Sequence, residues 1–219
     1  MGCVPHIPRP DEMGSGKKFT KFLIVLEILY AILMAWGFAR IAEFFDFENI
    51  YDWATLLIAM FVLVRFFFAP SHNVGALVYS LPMNIVNARK IIFLDIPILI
   101  FHSLLYYRMC YNASLQLYDL FYFDLMVLLI LNAAWLFWIR KRLEYCKKKV
   151  PDKFCLWIGN NLVFAALLAL AWLLFRGLPW FSGKLLLKLE IYFWLSFVIA
   201  IVNCVIDLSS CALEYFEDV

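Results

Sequence analysis

The chain has 219 residues, 65% of them hydrophobic and 16% charged, with a formal net charge of +2. A soluble domain is about 45–50% apolar and at this length buries only about 70–75% of the surface its unfolded chain exposes, so this composition excludes a water-soluble globule and makes a bilayer the matching solvent. The basic residues sit in short segments beside apolar runs instead of along one helical stripe, which argues against nucleic acid as a partner.

Residues 1–21 form a polar N-terminal segment carrying Arg9, Lys17, Lys18 and Lys21. A secretory signal has such a charged start, but Glu27 falls inside what would be its apolar core and further apolar runs follow, so a retained first helix is expected. The start Met1-Gly2-Cys3 invites acylation, yet His6 stands where a myristoylation site has Ser or Thr.

A hydrocarbon core about 30 Å thick takes about 20 helical residues. Six runs satisfy this: 22–39, 53–69, 91–111, 119–139, 156–175 and 188–208. Their interiors are rich in Leu, Ile, Phe and Ala and lack the alternation of a transmembrane barrel. No Pro/Gly/Ser-rich linker divides them, so the expected fold is all-α, one polytopic membrane helix bundle over residues 1–219.

Orientation follows from Lys and Arg, which stay on the cytoplasmic side more readily than they cross. Fourteen lie in the N-terminal segment, around the second and third runs (Arg65, Arg89, Lys90) and in the basic loop 140–155, against five on the other side: Arg40, Arg108, Arg176, Lys184 and Lys188. Both termini are therefore expected in the cytoplasm, in a cell membrane or, in a eukaryotic host, the ER or another endomembrane. Trp53, Tyr106, Tyr107, Tyr111 and Trp180 fall near the outer interface and Trp138, Tyr145 and Trp157 near the inner one. Residues 71–88, which follow Pro70 and contain Pro82, carry apolar positions at near-helical spacing and suggest a segment lying on the membrane surface.

Ionisable side chains inside a bilayer are costly and face the bundle interior. Glu27, Arg65, Asp95, Asn160, Asn161, Asn203 and Asp207 all map to the cytoplasmic third, from five helices. His102, Arg108, Asp124 and Asn132 lie nearer the middle or the outer half. Helical spacing puts Asn203 with Asp207, Asp95 with His102 and Asp124 with Asn132 on common faces. Arg65 is expected to pair with Asp95 or Asp207, the Asn side chains to bridge helices, and Arg108 to pair with Asp124. Pro97, one turn into its run, predicts a kink beside Asp95.

In the loops, Glu43, Asp46, Glu48 and Asp52 read as an acidic surface turn that could draw cations to an outer mouth. The basic stretch 140–153, with Lys147, Lys148 and Lys149, reads as a topology signal that could also contact anionic lipid. Asn112-Ala113-Ser114 matches a glycosylation sequon on the outer side. The six cysteines contain no C-x-x-C pair, and only Cys110 falls near the outer face, so no disulfide framework is expected.

Catalytic templates are absent from the sequence. His6, His72 and His102 sit in separate segments and cannot build H-E-x-x-H, and there is no nucleotide-binding glycine loop or G-x-S-x-G. No metal or cofactor is expected. The leading reading is a structural, scaffold or assembly-partner membrane protein, whose homo-oligomeric or other membrane partner the sequence leaves open. The alternatives are a small carrier or channel subunit that moves a proton or small cation through a cytoplasm-side pocket, and a membrane-embedded enzyme acting on lipid. The two halves show no matched broken-helix or polar positions of the kind an inverted-repeat transporter has.

Overall fold

The outward faces of these helices are as apolar as their inward faces, so run length and hydropathy, more than amphipathic periodicity, decide where they form. A computed structural model of the chain describes residues 28–80, 95–145, 153–177 and 185–217. Among these residues there are six helices and no strand: α1 over 28–43, α2 over Ile50–Ser80, α3 over Ile96–Ser114, α4 over Tyr118–Tyr145, α5 over Lys153–Gly177 and α6 over Leu185–Glu217. The segments Tyr118–Tyr145, Phe154–Phe175 and Lys188–Asp207 are long and apolar enough to cross a membrane. The described residues are all-helical, and three of their helices mark the chain as a membrane protein.

Side-chain exposure gives the same answer independently. Val163, Leu173, Val198 and Val205 are each 54–56% exposed, on α5 and α6 helices whose inner faces bury Phe164, Ala165, Leu168, Phe193 and Ala200. Apolar residues inside and outside together leave no polar face for water, and only acyl chains match the outer surface.

Helix α4 is the hub. It packs along α3 and α5 and also touches α2 and α6, while α5–α6, α6–α2 and α2–α3 contacts close the ring around it. The apolar window of α4 is 56% buried inside the bundle, against 28% and 33% for those of α5 and α6. Its interior residues Phe121, Leu125, Leu128, Leu129, Trp135 and Leu136 make up the centre of the core.

Short connections hold neighbouring helices antiparallel. Between α3 and α4 the chain turns on three residues, with Gln116 in the left-handed region at φ 57°. The Gln116 and Leu117 N–H groups donate to Ala113 and Asn112 carbonyls, each at 2.9 Å, and so satisfy the end of α3. Before α2, Asn49 occupies the N-cap: its Oδ1 accepts from the Tyr51 N–H at 3.0 Å. On α1, Gly37 lets the backbone of α3 approach, since a Cβ there would lie 3.1 Å from the Tyr107 Cα and 3.2 Å from the Tyr106 ring. Tyr106 in turn donates from its hydroxyl to the Ala59 carbonyl at 2.9 Å and ties α3 to α2.

One expectation changes. Residues 71–80 continue α2 through Pro70 as part of one helix, instead of forming a separate segment. One missing N–H does not end a long helix whose flanking turns remain bonded. Residues 81–88 lie outside the described residues. Pro97 falls in the first described turn of α3, and Asp95 before it already has helical backbone angles, φ −74° and ψ −37°. Residues 91–94, where the expected kink would fall, lie outside the described residues.

Candidate functional site

The centre of the polar cluster is a guanidinium that reaches from α2 to two other helices. Arg65 Nε lies 2.5 Å from Asp207 Oδ2 on α6, and its terminal nitrogen donates to Asn161 Oδ1 on α5 at 2.6 Å. The pair is sealed, with side-chain exposures of 4% and 6%. Asn161 passes its own amide N–H to the Trp157 carbonyl at 2.8 Å, and the neighbouring Asn160 donates to Asn203 Oδ1 on α6 at 3.0 Å. Three helices are thus joined by complementary donors and acceptors at one depth. Asp207 is the Arg65 partner of the two the sequence allowed.

Asp95 has a different counter-ion. Arg142 on α4 donates to Asp95 Oδ2 at 2.7 Å, and the Trp135 indole N–H donates to Oδ1 at 3.0 Å. The Asp95 side chain is 1% exposed and that of Arg142 10%. Sequence reasoning missed Arg142 because it was counted with the loop after residue 139, whereas α4 runs on to Tyr145. Spacing held the clue: Trp135, Trp138 and Arg142 follow steps of three and four along one helix face.

His102 is buried next to this second group, with its ring 5.9 Å from that of Trp135. Its Nδ1 is 2.8 Å from the Ile98 carbonyl, which assigns the proton to that nitrogen. Nearer the α3–α4 turn, Arg108 Nε lies 3.3 Å from Asp124 Oδ2, and Asn112 donates its amide N–H to the same oxygen at 2.7 Å. Asp124 is 1% exposed while Arg108 remains 58% exposed. Asn132 is buried on α4 at 7% exposure. Glu27 lies outside the described residues.

The acidic loop divides in two. Asp46 and Glu48 are exposed as a surface turn, but Asp52 is buried at 5%. Its carboxylate accepts from the Tyr118 hydroxyl at 2.8 Å and from the Asp46 N–H at 3.1 Å, and Asn49 donates to the same hydroxyl at 3.0 Å. Beside it Tyr51 packs on Tyr118, Phe193 and Trp194. Burial, and then the nearby Glu190 carboxylate, push the Tyr51 phenol above its ordinary value and keep it a donor. Reading Asp52 as part of a surface turn is therefore corrected: the Asn49 cap turns it inward at the first turn of α2.

Comparison with protein-family models, with curated proteins and with solved structures finds no match to this chain.

Proposed function

We propose that this chain is a six-span membrane protein with both termini in the cytoplasm, serving as a structural or assembly component whose intramembrane charges hold its helices in register. A cell membrane is the proposed location, or an endomembrane in a eukaryotic host. The imbalance of fourteen Lys and Arg against five supports the orientation. One observation carries the structural role: Asp207 and Asp95 each have their own arginine, Arg65 and Arg142, and none of the four side chains is more than 10% exposed. A carboxylate already neutralised and desolvated in this way is a poor receptor for an arriving cation.

A second reading, a carrier of a proton or small cation, is favoured by the Tyr122 hydroxyl on α4 and the Ser196 hydroxyl on α6. Both are buried and lack a hydrogen-bond partner, the condition under which internal water enters a bundle. Reconstituting Asp95→Asn and Asp207→Asn variants into liposomes separates the two readings. Lower thermal stability without any pH-dependent cation flux, in wild type or variant, supports the structural role. Flux in wild type that folded variants lose supports the carrier.

A further inference from the structure

We propose that the interface between α4 and α6 binds one water molecule, which bridges the hydroxyls of Tyr122 and Ser196. Serine and threonine within a helix ordinarily satisfy their hydroxyls by bonding back to a carbonyl one turn earlier. Thr55, Ser103, Ser114 and Ser209 all do so, donating to the Tyr51, Ile100, Tyr111 and Ile206 carbonyls at 2.7–3.0 Å. Ser196 does not: the residue is 0% exposed and its Oγ has no hydrogen-bond partner among the described residues. The Tyr122 hydroxyl, on a residue 1% exposed, is equally unpartnered. By contrast, the Tyr106 and Tyr118 hydroxyls donate to the Ala59 carbonyl and the Asp52 carboxylate.

The two hydroxyls belong to one contact between helices. The Tyr122 ring centroid lies 6.2 Å from that of Tyr192 and 5.6 Å from that of Phe193, both on α6. Ser196 follows Tyr192 by four residues and Phe193 by three, so it projects from the same face of α6. Burying either hydroxyl without a partner is costly, and a single water, which both donates and accepts, serves the two together. The surroundings fix the class of ligand. Phe121, Tyr192 and Phe193 pack around the Tyr122 ring. The Asp52 carboxylate, reached through Tyr118 one turn earlier on α4, is already engaged by the Tyr118 hydroxyl and the Asp46 N–H. A desolvated ion needs a counter-charge that two neutral hydroxyls do not supply, so the occupant is neutral. Close packing of the interior limits it to the size of a water. The site rests on the contact of α4 with α6 and on neither the structural nor the carrier role of the chain.

X-ray hydroxyl-radical footprinting of the full-length protein in nanodiscs tests it, because radicals formed from a bound water modify the side chains that hold it even where bulk solvent does not reach. The Tyr122 ring is expected to be oxidised about fivefold faster than that of Tyr106, which is equally sealed but bonded to a carbonyl. Ser196→Ala removes one anchor of the water and little volume, and is expected to bring the Tyr122 rate down to that of Tyr106. A wild-type Tyr122 rate no higher than that of Tyr106 overturns the proposal without recourse to any variant. So does an unchanged Tyr122 rate in folded Ser196→Ala, which would place the water elsewhere. Oxidation spread evenly over Phe121, Leu125 and Leu128 would mark bulk solvent in an open bundle and overturn it as well.

Discussion

The amide nitrogen of Asn112 on α3 donates to Asp124 Oδ2 on α4 at 2.7 Å, with Asn112 6% and Asp124 1% exposed. This nitrogen is the atom a glycosyl transfer would modify, and in the folded chain it is buried and already bonded. In the folded chain the sequon Asn112-Ala113-Ser114 is therefore closed to modification. Expression in a eukaryotic host should give protein whose electrophoretic mobility is unchanged by endoglycosidase and by Ser114→Ala; a glycan at Asn112 would contradict the geometry. Asn112→Leu leaves Asp124 only the partly exposed Arg108 and should cost about 1.5–3 kcal/mol in unfolding free energy, the usual worth of a hydrogen bond to a charged group.

Gly37 faces the backbone of Tyr107 and the ring of Tyr106, with 3.1 and 3.2 Å left for an added Cβ. A neighbouring backbone cannot yield as a flexible side-chain end can. Gly37→Leu should detach or tilt α1 and cost about 1–3 kcal/mol, the range for overpacking. The nearby ring pair of Trp36 and Tyr107, 5.5 Å apart, supplies the readout, since faster hydrogen exchange should be confined to α1 and the facing turns of α3.

Tyr118 holds the loop before α2 by giving its hydroxyl proton to Asp52 while accepting from Asn49. Tyr118→Phe keeps the edge-to-face contact with Phe193, whose centroid lies 5.2 Å away, and removes both polar contacts. The expected loss is about 1–3 kcal/mol. Amide exchange should rise over residues 44–52 and not over α5; uniform change across the bundle would contradict a local latch.

Trp135 and Arg142 share the Asp95 carboxylate. Trp135→Phe retains the buried ring and deletes the indole donor, so the expected cost is about 1.5–3 kcal/mol. Asp95→Asn in the same background should add a further loss, because it strands the buried Arg142 guanidinium. Chemical unfolding in detergent micelles, followed by circular dichroism, measures both.

Apolar run length made the helices legible, since a stretch matched to the bilayer has little choice but to coil. The pairing of charges was legible only where both partners lay inside runs. Arg65 and Asp207 meet because their depths match. Arg142 was assigned to a loop because hydropathy falls at residue 140, while the helix continues for a further turn and a half on backbone hydrogen bonds that hydropathy does not register. Asp52 was similarly hidden: an acidic residue in an acidic stretch reads as solvated, and only the Asn49 cap and the Tyr118 hydroxyl 66 positions away turn it inward. The course of α2 through Pro70 depends on which carbonyls find other donors, a tertiary question.

The central claim is that Arg65 and Asp207 act as one unit that locks α2 to α6. A double-mutant cycle of Arg65→Gln and Asp207→Asn, measured by equilibrium unfolding in micelles, tests it directly. Each single change should cost about 3–5 kcal/mol by stranding a buried charge. The double change should cost less than the two singles together by about 2 kcal/mol or more, the coupling expected of side chains in contact. Strict additivity of the two single losses would contradict the account.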